Sequence, residues 1–215
     1  MIAREGIKYI LFFVIVTLLL TIVSIWIPLL LIRIILWIWI ALFLLVVYFL
    51  RDPQRRIPPA EDSLLAPADG RVIAIEEVDD PFVGTAVKIS IFLSLLDVHV
   101  NRSIADGTVR GQEYRKGRFH AAFSEKSAEE NESNRLECQQ EERRFVIVQI
   151  AGMIARRIIS RAAVGQQLQR GERFGMILFG SRVEVILPCR VQLQVSLRQK
   201  VRAGETIIGK WHASV

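Results

Sequence analysis

The sequence predicts a mainly β domain, sandwich- or barrel-like, preceded by an N-terminal α-helical membrane hairpin. Three observations predict it. Apolar residues concentrate in the first 50 positions, short runs rich in β-branched residues follow them, and turn dipeptides separate those runs. The division is a hairpin over 1–50 and one globular domain over 51–215, a single domain's length.

Between Ile7 and Leu50 the only charged residues are Lys8 and Arg33, and Pro28 stands near the middle. One helix over about 44 residues would be about 66 Å long, twice the hydrocarbon core of a bilayer. Two spans fit better, Ile7–Ile27 and Leu29–Leu50, turning at Pro28. Arg4 and Lys8 precede the first span, and Arg51, Arg55 and Arg56 follow the second. That flanking predicts a cell-membrane protein with both outer ends, and the globular domain, on the cytoplasmic side. Trp26, Trp37 and Trp39 are aromatic anchors suited to interfacial depth. A hairpin that crosses the bilayer and one that only dips into it both satisfy the pattern. A cleaved signal peptide fits less well, since no small-residue site follows and the apolar run is too long.

The linker RDPQRRIPPAED is rich in proline and charge and leads the chain away from the bilayer. Strands are expected at Arg71–Val78, Ala86–Leu93 and Arg144–Gly152, each rich in β-branched residues and bounded by turn signals. Val183–Leu187 is a further apolar run, and Val191–Leu197 alternates strictly. Asp69-Gly70, Asp106-Gly107 and Ala203-Gly204 mark turns. The polar stretch Ser124–Arg143 shows no sustained apolar period and is expected to be a solvated loop or short surface helix.

Composition excludes several classes. With 52% hydrophobic residues, the chain has enough apolar surface to fold. Cys138 and Cys189 are too few for a disulfide scaffold, and three widely spaced histidines (His99, His120, His212) argue against a metal site. Arg51–Val215 carries 25 basic and 21 acidic residues. That mild excess suits an anionic membrane surface and is too scattered for nucleic acid. There is no P-loop, no dinucleotide-binding glycine fingerprint and no GxSxG elbow.

The informative segment is QRGERFGMILFGSRVEVILP, Gln169–Pro188. Gly180-Ser181 lies there between two β-like runs, at or beside a tight turn. Taken alone, such a pair is an ordinary structural turn. The surrounding words, RGERFGMILFGSR, resemble the processing segment of the short-form phosphatidylserine decarboxylases, which cut themselves at a Gly-Ser bond. PADG (Pro67–Gly70) resembles that family's early Asp-Gly motif, and LDVHVNR (Leu96–Arg102) its central histidine motif. KGRFHAAFSEKSAEENE (Lys116–Glu132) resembles the polar segment that follows, and VRAGETIIG (Val201–Gly209) the C-terminal glycine turn, which gives the domain a lipoyl-like character. Two positions depart from the pattern. Ala121 stands where asparagine is common, and Arg102 occupies the place of a second histidine found in the long forms.

The resemblance implies a proenzyme that converts Ser181 into a covalent pyruvoyl cofactor. The ketone of that group would form a Schiff base with the amine of phosphatidylserine, giving phosphatidylethanolamine and carbon dioxide. It divides the chain into a β chain (1–180) and an α chain (181–215) that stay together, with a homodimer possible. The implied partners are a phospholipid substrate and the membrane, with no nucleic acid and no metal. The chemistry of Gly180-Ser181 is consistent with this on its own terms, because a serine hydroxyl can reach the unshielded carbonyl of the preceding glycine and form an ester. His99 is the candidate general acid, since imidazole titrates near neutral pH. Asp69 is a candidate to assist the base that activates Ser181, though Asp-Gly is also an ordinary turn pair. His120 and His212 have weaker claims, and Asp97 reads as a turn residue. Arg102, Arg118 and Arg182 are each capable of binding a lipid phosphate or of being plain surface charges. The competing readings are a membrane-anchored β adaptor or carrier, which would need a lysine where Gly180-Ser181 stands, a pyruvoyl decarboxylase of a soluble amino acid, and a decarboxylase of another serine lipid such as archaetidylserine.

Overall fold

The computed structural model describes residues 1–27, 29–60, 62–117, 130–152, 157–178 and 180–212. They form two compact units, Met1–Gln54 and Arg55–Val215. In the first, α1 (Ile7–Trp26) and α2 (Leu30–Phe49) match the expected spans to within a residue. Pro28, where the turn is expected, lies outside the described residues. Each helix is long and apolar enough to cross a membrane, and neither buries its apolar window.

Halfway along the pair, the Trp39 indole N–H donates to Thr17 Oγ1 at 3.1 Å, and that hydroxyl donates to the Phe13 carbonyl at 2.7 Å. Phe13 stacks on Trp39 and Phe43, with centroids 4.6 and 5.6 Å away. Trp39 therefore sits midway along the helix pair rather than at either end, and its indole N–H, packed among apolar side chains, finds its partner in Thr17. At the open end, Ala3 N–H donates to the Leu50 carbonyl (2.8 Å) and Asp52 N–H to the Met1 carbonyl (2.7 Å). The two outer ends of the hairpin therefore lie together.

The second unit is built from fourteen strands among the described residues: β1 (Ser63–Leu65), β2 (Gly70–Asp80), β3 (Gly84–Leu93), β4 (Val100–Arg102), β5 (Gly107–Arg115), β6 (Ser133–Gln140), β7 (Arg143–Ile150), β8 (Ile158–Ser160), β9 (Gln167–Leu168), β10 (Arg173–Ile177), β11 (Ser181–Pro188), β12 (Gln192–Leu193), β13 (Lys200–Val201) and β14 (Ile207–Lys210). A curled sheet runs β13-β2-β3-β11-β7-β6-β5-β9, and two three-stranded sheets run β1-β14-β12 and β4-β10-β8. The core is formed by alternate residues of the central strands. Ile89, Ile91 and Leu93 of β3, Val183, Val185 and Leu187 of β11, Phe145 and Ile147 of β7, and Leu136 and Cys138 of β6 share it. Burial there pushes the Cys138 thiol up to about 12, so this cysteine is a core residue rather than a nucleophile.

The linker is pinned to this unit. Arg170 Nη2 donates to the Pro58 carbonyl at 2.7 Å, and its Nη1 bonds the Ala60 carbonyl and Ser63 Oγ. Gly70, the glycine of PADG, has no room for a side chain. An added Cβ would lie 2.2 Å from the Phe92 carbonyl oxygen on β3.

Two elements differ from expectation. Residues 133–140 of the polar stretch form β6, paired with both β5 and β7, while 124–129 lie outside the described residues. Its period is real, since Asn134, Leu136 and Cys138 face inward, but only two of those inward positions are apolar, and an amide at the third within a polar run hides it. Val191–Leu197 keeps strand pairing only over Gln192–Leu193. Beyond them the chain turns at Ser196–Gln199, through Ser196 N–H to Gln199 Oε1 (2.9 Å), and delivers β13 to β2.

Asp80 ends β2 almost without solvent. Burial raises its carboxyl, but Arg135 Nη2 at 2.9 Å and the N–H groups of Phe82 and Val83 outweigh that, holding it below the ordinary 3.8. A depressed carboxylate stabilises the fold above its unfolded value and loses that contribution as pH falls through the folded one. The thermal midpoint should therefore drop steeply below about pH 4. Asp80→Asn should be less stable at neutral pH and flatter in that acid range; parallel pH curves would refute this assignment.

Candidate active site

Strand β10 leads through Leu178 into the bond between Gly180 and Ser181, and β11 begins at Ser181 itself. Gly180 has φ +54°, the left-handed region that favours glycine, and beyond its chain neighbours no described residue lies within 4 Å of where a Cβ would be. Ser181 faces Leu93 across the ladder and is fully buried. Its Oγ has no hydrogen-bond partner among the described residues. An unsatisfied buried hydroxyl costs about 1–3 kcal/mol, so a serine serving only to make a turn would be expected to bond its own backbone.

Two of the next residues on β11, Arg182 and Glu184, are charged and pair inside the unit, although Arg182 Nε has no partner among the described residues. Arg182 Nη2 lies 2.7 Å from Glu184 Oε1 and donates to Ser90 Oγ at 2.7 Å, and all three residues are buried. This neutral cluster occupies the face opposite Ser181 and Val183. Arg182 is thus an internal counter-charge, not a surface group.

His99 is also buried. Its carbonyl accepts from Ile177 N–H at 3.2 Å, which sets it beside the end of β10, four residues before Ser181. Nδ1 lies 2.9 Å from the Asp97 carbonyl. A carbonyl can only accept, so Nδ1 carries the proton and Nε2 is the basic nitrogen of the neutral ring. Asp97 is the turn residue expected, its Oδ2 accepting from Ser94 N–H (2.9 Å) and Ser94 Oγ (2.6 Å).

Asp69 is placed elsewhere. Arg55 Nη2 bonds both its oxygens, at 2.9 and 2.8 Å, and the Ala203 N–H donates to Oδ1 at 2.8 Å. Arg55 also reaches Glu205 at 3.4 Å. Asp69 sits at the head of β2, two strands across the sheet from β11, and ties the linker to the 203–205 turn. Arg102 is buried and donates through Nη1 to the Gly171 carbonyl at 3.0 Å, while its N–H bonds the Pro67 carbonyl. The structure thus brings His99 to the segment carrying Ser181 and engages Asp69 and Arg102 in holding motifs together. His120, Arg118 and Ala121 lie outside the described residues. His212, three residues from the terminus, is exposed.

Sequence reasoning missed a group of buried amides, Asn101, Asn134 and Gln149, on the strands around Ser181. The available signal was polar residues at inward positions of otherwise apolar segments: Gln149 in RFVIVQIAG, and Asn101 between His99 and Arg102.

A sequence model of the phosphatidylserine decarboxylase family matches residues 42–209. The chain belongs to the phosphatidylserine decarboxylase family. It is 41% identical over 210 residues to a phosphatidylserine decarboxylase proenzyme of Carboxydothermus hydrogenoformans, covering 96% of this chain and 95% of the relative. It is 42% identical over 195 residues to the proenzyme of Chlorobium phaeobacteroides, covering 90% and 92%. The proenzyme of Ehrlichia chaffeensis is 47% identical over 169 residues, 77% of this chain and 75% of that one. Membership in a decarboxylase family whose curated members are named proenzymes identifies the chain as an enzyme and sets aside the adaptor and carrier readings. Gly180-Ser181, His99 and Asp69 all fall inside the matched region.

The Arg55–Asp69 fork makes its own prediction. Both side chains are largely buried, and removing one partner of a buried pair costs about 3–5 kcal/mol. Arg55→Met should lower the denaturant midpoint of the protein accordingly, and a variant as stable as the parent would show that the fork contributes nothing.

Proposed function

We propose that the chain is a self-processing, pyruvoyl-dependent decarboxylase that converts phosphatidylserine to phosphatidylethanolamine and carbon dioxide. The observation that carries this reading is the buried, unpartnered Ser181 hydroxyl directly after a left-handed Gly180, in a member of this family. Ser181 Oγ adds to the Gly180 carbonyl through a five-membered ring, and the C–N bond breaks as the nitrogen takes a proton, leaving an ester. Loss of the Ser181 α-proton expels the Gly180 carboxylate. Water then replaces the nitrogen, releasing ammonia and leaving a pyruvoyl amide on residue 181.

Cleavage there would not separate the products. Within the 181–215 chain, β11 pairs with β3 and β7, β13 with β2, and β14 with β1. The two faces of β11 would also remain occupied, one by the core and one by the Arg182–Glu184–Ser90 cluster.

The pyruvoyl group supplies the electron sink for the pair released when carbon dioxide leaves an amine-bearing substrate. His99, with Nδ1 fixed by the Asp97 carbonyl, holds its exchangeable proton at Nε2 and returns it to the carbon that lost carbon dioxide. Asp69 contributes by keeping the PADG motif and the 203–205 turn in register through Arg55. The apolar hairpin inserts in the cell membrane with both ends on the cytoplasmic side, as the flanking Arg4, Lys8 and Arg51 favour, and so holds the enzyme at the surface where its lipid resides.

Intact mass analysis tests the reading. Purified protein should separate on denaturation into a large chain and a small one of about 4 kDa, in proportion to its share of the 24.5 kDa total, the small one lacking a free α-amine. Ser181→Ala should remain one chain and be inactive. A single unmodified chain that decarboxylates phosphatidylserine would refute the proposal. On the cleaved fraction, His99→Ala should lose roughly 10²–10⁴-fold in decarboxylation rate; a variant that cleaves and turns over like the parent would leave His99 with a structural role only.

A further inference from the structure

A line of side-chain amides crosses the sheet to the Ser181 end. Gln112 Nε2 donates to Asn134 Oδ1 at 3.0 Å, Asn134 Nδ2 to Gln149 Oε1 at 2.9 Å, and Gln149 Nε2 to Asn101 Oδ1 at 2.8 Å. Asn134, Gln149 and Asn101 are all buried. The line ends at Asn101 Nδ2, which is buried and has no hydrogen-bond partner among the described residues.

Register locates that end. Gln149 lies directly opposite both Asn134 and Val183, so all three share a face. Ser181 is two residues before Val183 and on the same face, which makes it a diagonal neighbour of Gln149, about 7–8 Å away. Asn101 is bonded to the Gln149 amide on that face and stands two residues after His99. Opposite Asn101 lies Gly175, where a Cβ would come 2.3 Å from the Ile159 carbonyl and 3.0 Å from Gln149 Nε2. Any side chain at 175 would displace the amide that orients Asn101.

Among the described residues, the Ser181 hydroxyl and the Asn101 donor are thus both without a partner, and Gln149 links the two, bonded to Asn101 and diagonal to Ser181. We propose that the Asn101 side-chain amide donates to the Gly180 carbonyl oxygen as Ser181 adds to it, stabilising the negative charge that develops there. The proposal rests on the self-processing reading above. In the step concerned, the Oγ–C bond forms, the carbonyl π pair moves to oxygen, and the Ser181 hydroxyl proton goes to a base. Charge on that oxygen exists only in this transition, so a preorganised donor aimed at it accelerates the step. The ladder decides polarity. Because Gln149 Nε2 occupies Asn101 Oδ1, the NH₂ end must face the reacting bond; a reversed ladder would present an oxygen and repel the charge.

The test follows maturation of the full chain by intact mass, with and without hydroxylamine, which splits an ester but not an amide. Asn101→Leu should fold, as judged by circular dichroism and thermal midpoint, but cleave 10²–10³-fold more slowly than the parent. Hydroxylamine should release no 1–180 fragment from it, because the step before the ester is the slow one. Gln149→Glu keeps every bond of the ladder while its carboxylate accepts from both neighbours, which turns the Asn101 oxygen toward Gly180. It too should cleave slowly, whereas a purely structural ladder predicts normal processing. A folded Asn101→Leu or Gln149→Glu that cleaves at the parental rate, or that accumulates hydroxylamine-labile ester, overturns the proposal. A parent protein that never cleaves refutes the processing reading itself, a distinct outcome.

Discussion

The globular unit depends on one strand, β11, that is buried on both faces and begins with Ser181. A strand in that position has no water to satisfy its polar side chains, so each must find a partner inside. Arg182 and Glu184 do so through one another and Ser90. Ser181 does not among the described residues, and it is the residue that the proposed reaction consumes. The strand is laddered to β3 over its whole length and to β7 over Arg182–Ile186, which would hold the fold together after the proposed break at its first residue. Chemistry that destroys a peptide bond is tolerable only where the pieces are held by many others.

Much of this was legible in the sequence because burial and β-branching coincide. Arg71–Val78, Ala86–Leu93 and Arg144–Gly152 became β2, β3 and β7 with small changes at their ends, and the hairpin followed from hydropathy and one proline. The failures share a cause. β6 reads SNRLECQQ and β5 reads GTVRGQEYR, so their inward positions are partly amides and a glycine rather than aliphatics. A period of two is invisible when polar residues occupy both faces, and amides can occupy the inner face only because they bond one another. Val191–Leu197 failed in the opposite sense. Its alternation is perfect, but the turn at Ser196–Gln199 and the need to deliver β13 to β2 override it.

The site was legible in part. Ser181 and His99 could be named from motifs, and the structure sets His99 beside the strand that leads to Ser181. The partners of Asp69 could not be named, because Arg55 and Ala203 lie 14 and 134 positions away in the chain. An Asp-Gly pair looks the same whether its carboxylate serves as a base or as an anchor. In this structure both oxygens bond one guanidinium, a contact that the motif alone does not foretell.

That geometry narrows where the Ser181 proton goes in the proposed self-cleavage. Arg102 stands in the place of the second histidine of the long forms and is a permanent cation with donors only, so it cannot accept a proton. The Asp69 oxygens are held by Arg55 and the Ala203 N–H, and drawing one of them away would break a buried ion pair. The His99 ring is different. Its Nδ1 proton is held by a carbonyl that cannot give one back, so the lone pair sits on Nε2. Of the residues that the motifs single out, His99 offers such a lone pair, and in the proposed mechanism it would take the proton from Ser181 in the uncut chain and deliver one to the product carbon afterwards. One histidine would then serve both steps in turn, with Asp97 keeping its ring in the same tautomer for each.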